Sequence, residues 1–149
     1  MKIKNLYFSP VKSLSFNNVD NLEIIKNIGI KNDRIFAFTN NLNFKDIELI
    51  KNNPLKREIY KFLSLKKYPE LNQYNFLLED NFLILEFENK IILKTDIDNQ
   101  HEVKILCSKL EDILPNINNI NLLKDSMNPF FDTMPNKSIS LINLNSIKD

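Results

Sequence analysis

The chain is poor in the residues from which most cofactor cradles and metal sites are built. Of 149 residues one is glycine (Gly29), one cysteine (Cys107) and one histidine (His101), and tryptophan is absent. A single glycine can make neither a GxxxxGK loop nor a GxGxxG turn, so the common backbone cradles for nucleotide phosphates are excluded. A single cysteine can form no internal disulfide and no multi-thiolate metal site, which fits a reducing compartment. His101 has Asp98 and Glu102 nearby but not the ligand spacing zinc requires, so it is expected at the surface or near a helix cap.

Long apolar runs are missing too. The most apolar stretch, Tyr74 to Leu93, is broken by Glu79, Asp80, Glu86, Glu88 and Lys90, far from the roughly 20 apolar residues that span a bilayer. The opening run is stopped by Pro10 and Lys12 before a signal-peptide core could form, so a cytoplasmic location without membrane association is expected. Charge of one sign is lacking as well. With 20 Lys plus Arg against 19 Asp plus Glu, there is no basic excess of the kind that marks nucleic-acid binders.

What remains is a chain of ordinary globular composition, long enough for one domain or for one domain and the beginning of a second. Asn, Lys, Ile and Leu abound, Ala37 is the only alanine, and Arg34 and Arg57 are the only arginines. This usage follows A/T-rich codons. Clusters of Lys and Asn therefore carry little functional weight, whereas Gly29 and Arg34 stand out against the bias.

Pattern and turn chemistry give an order of elements. A strand from Lys2 to Phe8 runs into a loop at Pro10. Asn21 to Ile28 and Arg34 to Thr39 are β-branched and aromatic, and Gly29 to Asp33 between them has turn chemistry, which predicts a hairpin. Phe44, Ile47, Leu49 and Ile50 fall near helical spacing up to Pro54, with a second turn from Leu55 to Phe62. Short apolar runs at Leu63 to Leu65, Leu71 to Leu78, Phe82 to Phe87 and Ile91 to Thr95 predict an antiparallel meander. Val103, Leu106, Leu110, Ile113 and Leu114 recur at three and four after Asp98 or Asn99 and before Pro115, which marks a helix. Cys107 lies on it and is expected to be a small buried residue, because no histidine is placed to activate it. Asn116 to Pro135 reads as a connection between domains. Ser138 to Leu144 then reads as a strand and Asn145-Ser146 as a helix cap, so the end of the chain looks cut. The expected class is α+β, mainly antiparallel, with two to three helices.

Two groups of residues could carry binding chemistry. Lys51, Lys56, Arg57, Lys61, Lys66 and Lys67 could meet an acidic protein or RNA, although Glu58 interrupts them and a solvated face explains them as well. Tyr60, Phe62 and Tyr68 are not clearly placed for base stacking. The second group is Ser9-Pro10-Val11-Lys12-Ser13-Leu14 together with Gly29 to Phe38. If these strand ends converge, a point charge (Lys12), a hydroxyl (Ser13) and a planar guanidinium (Arg34) face one spot, an arrangement suited to a phosphate. The plainer account is a turn with an Asp33/Arg34 ion pair.

The chain resembles the N-terminal β-barrel region of MOSC proteins, the molybdenum-cofactor sulfurase C-terminal family that includes the amidoxime-reducing component and its bacterial relatives. The matching pieces are a PVKS motif at Pro10 to Ser13, a G-x-x-x-D-R motif at Gly29 to Arg34 followed by the apolar Ile35 to Phe38, and Phe62 to Leu71. This last stretch is similar to the family's L-T-x-R-x-x-P-x-L segment. The resemblance implies a barrel-like domain over residues 1–130 and the beginning of the MOSC domain proper over 131–149. It implies that Lys12, Ser13 and Arg34 hold the phosphate of molybdopterin, and more weakly that Ser64 and Lys66 do, where the family has Thr and Arg. For the full-length protein it implies an oxidoreductase of N-hydroxylated or related small substrates fed by an electron-transfer protein, or a protein handling cofactor sulfur. The family's metal-ligating cysteine lies in an Arg-Cys motif that the chain does not contain, and Cys107 does not match it. By itself the chain is therefore expected to be inactive.

Overall fold

The structure, a computed structural model, describes residues 3–114 and 116–131. The expectations for Pro115 and for Ser138 to Ser146 lie outside the described residues.

The fold is organised around β5 (Phe36–Asn40), whose first four residues are all buried. It pairs antiparallel with β9 (Ile120–Lys124) along its whole length, Phe36 opposite Lys124 and Asn40 opposite Ile120. Two apolar clusters lie against this ribbon. Phe36, Phe38 and Ile120 belong to the larger, with Leu122 packed against it. Ala37 and Leu123 belong to the smaller, with Ile50 and Phe130. Alternation along both strands sends neighbouring side chains to opposite faces, so a strand buried on both sides must be apolar at nearly every position.

Before β5 come two short hairpins, β1 (Leu6–Phe8) with β2 (Asn17–Val19) and β3 (Ile24–Ile25) with β4 (Gly29–Ile30). The expected hairpin across Gly29 to Asp33 is therefore replaced by a smaller one closing at Asn27, and β5 pairs elsewhere. Two local facts explain this. Arg34 has φ +54°, which ends the extended path before β5, and the β5 residues are too apolar to lie beside the exposed Ile24.

After β5, Asn43 caps α1 (Phe44–Asn52) by accepting the Asp46 N–H at 2.9 Å. Prolines then open two 3-10 turns, Pro54–Ile59 and Pro69–Gln73. The second replaces the first part of the strand expected from Leu71. The meander is present as β6 (Tyr74–Glu79), β7 (Phe82–Phe87) and β8 (Lys90–Asp96), without the first expected run, Leu63 to Leu65, which bonds to Phe38 and Ser13 instead. A two-residue turn joins β7 to β8, with Glu88 at φ +50° and Asn89 at φ +60°, the geometry that matches strand twist. Asn99 caps α2 (Gln100–Ile113) through the N–H groups of His101 and Glu102, and Leu106, Cys107 and Leu110 turn inward. No helix among the described residues is long and apolar enough to cross a membrane. The class is thus α+β, mostly antiparallel, in several small sheets with two α-helices among the described residues.

The described part of the stretch read as an inter-domain connection, residues 116–131, holds β9 and is packed into the core. Asparagine at positions 116, 118, 119 and 121 makes it look like a linker, yet Ile117, Ile120 and Leu123 are buried. Beyond it, Phe130 is buried and its N–H bonds to the Arg34 carbonyl at 2.8 Å.

Arg57 is the second surprise. It is 4% exposed, and its Nε donates to the Ile50 carbonyl at 3.0 Å while its two terminal nitrogens reach the Asn128 carbonyl and the Asp125 carboxylate. Its guanidinium also lies 4.3 Å from the Phe130 ring centroid. One side chain thus ties α1 to the segment after β9. Arg57→Ala is expected to lower the unfolding free energy by about 3–5 kcal/mol, since it strips a half-buried carboxylate and two carbonyls of their partner. Arg57→Lys should recover only part of that, because lysine lacks the planar fork. Urea denaturation measures both, and a loss under about 1 kcal/mol for the alanine variant would contradict an anchoring role.

Candidate functional site

The backbone brings together the three segments singled out in the sequence. Val11 forms a parallel bridge with Phe36, the Lys12 N–H donating to the Phe36 carbonyl at 2.8 Å and the Phe36 N–H to the Pro10 carbonyl at 3.0 Å. One step earlier, the Arg34 N–H donates to the Ser9 carbonyl at 2.6 Å. On the other side, the Leu63 N–H reaches the Phe38 carbonyl at 2.8 Å and the Leu65 N–H reaches the Ser13 carbonyl at 3.2 Å. Residues 9–13, 34–38 and 63–65 thus lie side by side.

The side chains are less unified. Lys12 is only 9% exposed, its ammonium 5.6 Å from the Phe62 ring centroid, and it is already engaged within the chain. The Arg34 guanidinium bonds to the Asp33 carboxylate and lies 5.4 Å from Phe131 and 6.0 Å from Phe16. Lys12 and Arg34 therefore stand on adjacent backbone segments, with their head groups against different rings. Ser13 is half-buried at φ +58°. Ser64 is half-buried, and its carbonyl accepts the N–H groups of Lys67 and Tyr68 at 3.0 and 2.9 Å. Lys66 is exposed.

Backbone strain falls on two of these residues. A left-handed φ costs an ordinary side chain roughly 1–2 kcal/mol, whereas Asn, Asp and Gly tolerate it. Among the described residues other than Asn, Asp and Gly, positive φ occurs at Ser13, Arg34 and Glu88. Glu88 belongs to the β7–β8 turn, so Ser13 and Arg34 carry strain that no hairpin requires.

Asp33 joins these pieces. It is 3% exposed, with one carboxylate oxygen accepting the Ser9 N–H at 2.9 Å and the other bonded to Arg34. The ion pair of the plainer sequence account is therefore present, and it also fixes the spacing between Arg34 and the Ser9 to Ser13 loop. Burial raises the Asp33 carboxyl above the ordinary aspartate value, with the Ser9 N–H and the Arg34 charge pulling it partly back. Phe131 gave no sequence signal, because only the tertiary approach of the segment after β9 sets it against Arg34.

Arg57 does not belong with the surface lysines, being withdrawn into the core, and Lys51 pairs with Glu48 at 3.7 Å. Cys107 is buried, and burial pushes its thiol up to about 11, with the Leu122 backbone opposing and the Glu111 charge adding to the rise. His101 is exposed in the first turn of α2. No cluster of His, Cys, Asp and Glu among the described residues could hold a metal ion. Compared with family models, curated proteins and solved structures, the chain matches none.

Two measurements check these environments. Since the folded Asp33 value lies above the unfolded one, its contribution to stability is complete below the unfolded value and is lost as pH rises through the folded value. The unfolding free energy of wild type minus that of Asp33→Asn should therefore fall as pH rises from below the ordinary aspartate range through the raised folded value; a rise would mean that ion pairing outweighs burial. For Cys107, reaction of the native chain with a disulfide reagent near pH 8 should be on the order of 100-fold slower than that of the urea-unfolded chain. Equal rates would contradict a buried, protonated thiol.

Proposed function

We propose that the chain is a cofactor-holding domain of the MOSC N-terminal type, which grips the phosphate end of molybdopterin with Arg34, Lys12 and Ser13. The observation that supports this most is the strain at Ser13 and Arg34 beside a carboxylate that fixes their spacing. Residues held in costly backbone conformations persist where neighbouring contacts over-determine them, and such positions cluster at ligand clamps.

The donor set fits a phosphate. Arg34 keeps donors beyond the one given to Asp33, since a guanidinium offers five in a fixed fork. Ser13 adds a hydroxyl, and Lys12 adds positive charge from the next segment. The metal end fits no residue described here: Cys107 is turned from α2 into the larger apolar cluster, with its thiol protonated at neutral pH. When bound, the pterin-held metal would supply the redox step, and the protein's part is to bind and orient. Within this reading, Asp33 aims the guanidinium and Phe16 and Phe131 limit its sideways movement.

A barrel-like closure belongs to the same proposal and is favoured by the bridges that join β5 to Val11 and to Phe62. The proposal also carries the small N-hydroxylated substrate and the electron-transfer partner of the full-length protein, as well as a cytoplasmic location. The competing reading, a module that docks an acidic protein or RNA through Lys51 to Lys67, loses its only arginine to the core.

Cofactor retention tests the proposal, measured as oxidised pterin released from protein purified out of cells that make molybdopterin. Lys12→Ala and Arg34→Ala should each weaken retention on the order of 10- to 100-fold, the worth of a charge-assisted contact. Arg34→Lys should also weaken it by losing the fork. Ser13→Gly should raise the unfolding free energy by about 1 kcal/mol while retention falls, because glycine relieves the strain and removes the hydroxyl. Wild-type retention in all the variants, each folded by circular dichroism, would reject the site.

A further inference from the structure

A cleft of about 380 Å³ opens on the side of the molecule where the loop before β2 meets β6 and β7. Its walls carry four carboxamides (Asn72, Gln73, Asn75, Asn89), two carboxylates (Glu86, Glu88), the Ser15 hydroxyl and the rings of Phe16 and Tyr74. None of these residues belongs to the phosphate grip proposed above except Phe16, whose ring is 6.0 Å from the Arg34 guanidinium carbon.

Phe16 is 63% exposed, an apolar ring held in water. Its position is not left to a slack loop. On one side the Ser15 Oγ accepts the Phe76 N–H at 2.8 Å; on the other the buried Asn17 Nδ2 donates to the Phe76 carbonyl at 2.8 Å. The two neighbours thus grip both polar groups of one residue on β6 and hold Phe16 out over the cleft. A second lining ring is braced as well, Tyr74 packing at a tilt against Phe87 with 5.0 Å between centroids and 39° between planes. Along the cleft, Asn75 Nδ2 donates to the Glu86 carboxylate at 3.4 Å.

We infer that this cleft binds a neutral, hydroxyl-rich ligand of the saccharide class. Each sugar hydroxyl both donates and accepts. A carboxamide offers a donor and an acceptor side by side and a carboxylate offers two acceptors, so adjacent hydroxyls can be met in pairs. The C–H face of a sugar ring supplies the apolar surface that an exposed phenyl ring and a tyrosine ring can cover. An organic cation would use the carboxylates and the rings, but would leave four carboxamides without a role and would approach the charge of Arg34. The volume lies at the small end for ligand sites, and the open shape makes binding weak and readily reversible.

The test uses the 149-residue chain, uniformly labelled with ¹⁵N and titrated with cellobiose, maltose and diacetylchitobiose as separate probes, with spermidine as the cationic arm. At least one disaccharide should cause saturable amide shifts centred on Phe16, Tyr74, Asn75 and Asn89, with a dissociation constant in the range of about 1–10 mM. Phe16→Ala and Glu86→Gln should each weaken that binding about tenfold, the spectra showing that both variants keep the fold. No saturable shift with any of the three disaccharides overturns the inference. So does unchanged affinity in both variants, or spermidine saturating the same amides at lower concentration than any sugar. Retention of molybdopterin is a separate readout, so the two proposals can fail independently.

Discussion

The peptide group of Phe36 is the point from which the rest of the fold is hung. Its N–H and C=O bond to Pro10 and Lys12 on one edge, while β9 pairs along the other edge of the same strand. Its side chain is wholly buried in the larger apolar cluster. A strand used on both edges and both faces has little freedom to shift, because a slip by one residue would exchange the faces of every side chain. That constraint carries the loop of Ser9 to Ser13 into contact with Arg34, and through Phe38 and Leu63 it brings in the third segment.

Both arginines are spent in the same way, each against a carboxylate and an aromatic ring. Arg57 meets Asp125 and Phe130; Arg34 meets Asp33, Phe131 and Phe16. They differ in burial, the Arg57 side chain being 5% exposed and that of Arg34 23%. Full burial commits Arg57 to the protein, since every donor withdrawn from water needs an internal partner. Partial exposure leaves the Arg34 fork able to face solvent, and its partner Asp33 is shared with the Ser9 backbone. The same residue type thus serves as an anchor in one place and as a presented group in the other. A chain that uses lysine freely keeps its two arginines where planar geometry matters.

Strain and support occur together around Arg34. A left-handed backbone at Ser13 and at Arg34 is unfavourable locally, and each is bracketed by backbone bonds: Ser13 to Leu65, Arg34 to Ser9 and Phe130. Stability gathered in the β5–β9 ribbon and its two clusters offsets this cost, a division common where a rigid scaffold presents a loop.

Much of this architecture was legible in the local chemistry of the chain. The α2 helix followed from its apolar spacing and a cap at Asp98 or Asn99, the three-stranded meander from its breaks, and the buried Cys107 from the helical face it shares with Leu106 and Leu110. The proximity of residues 9–13 to Arg34 was legible only by analogy, since no local rule links positions so far apart. The pairing of β5 escaped the sequence because many strands are compatible with an apolar run, and β9 was hidden among asparagines that read as a linker. Arg57 looked like one more surface cation in a basic run, because burial is a property of the whole core. Sequence by itself determined the class, the two helices, the breaks of the β6–β7–β8 meander and the residue types available for binding, all of which depend on neighbours within a few positions. Tertiary structure alone decided which strands pair, which arginine is sealed and which is presented, and that Phe16 stands out over a cleft, because those outcomes depend on contacts between segments that meet only when the chain is folded.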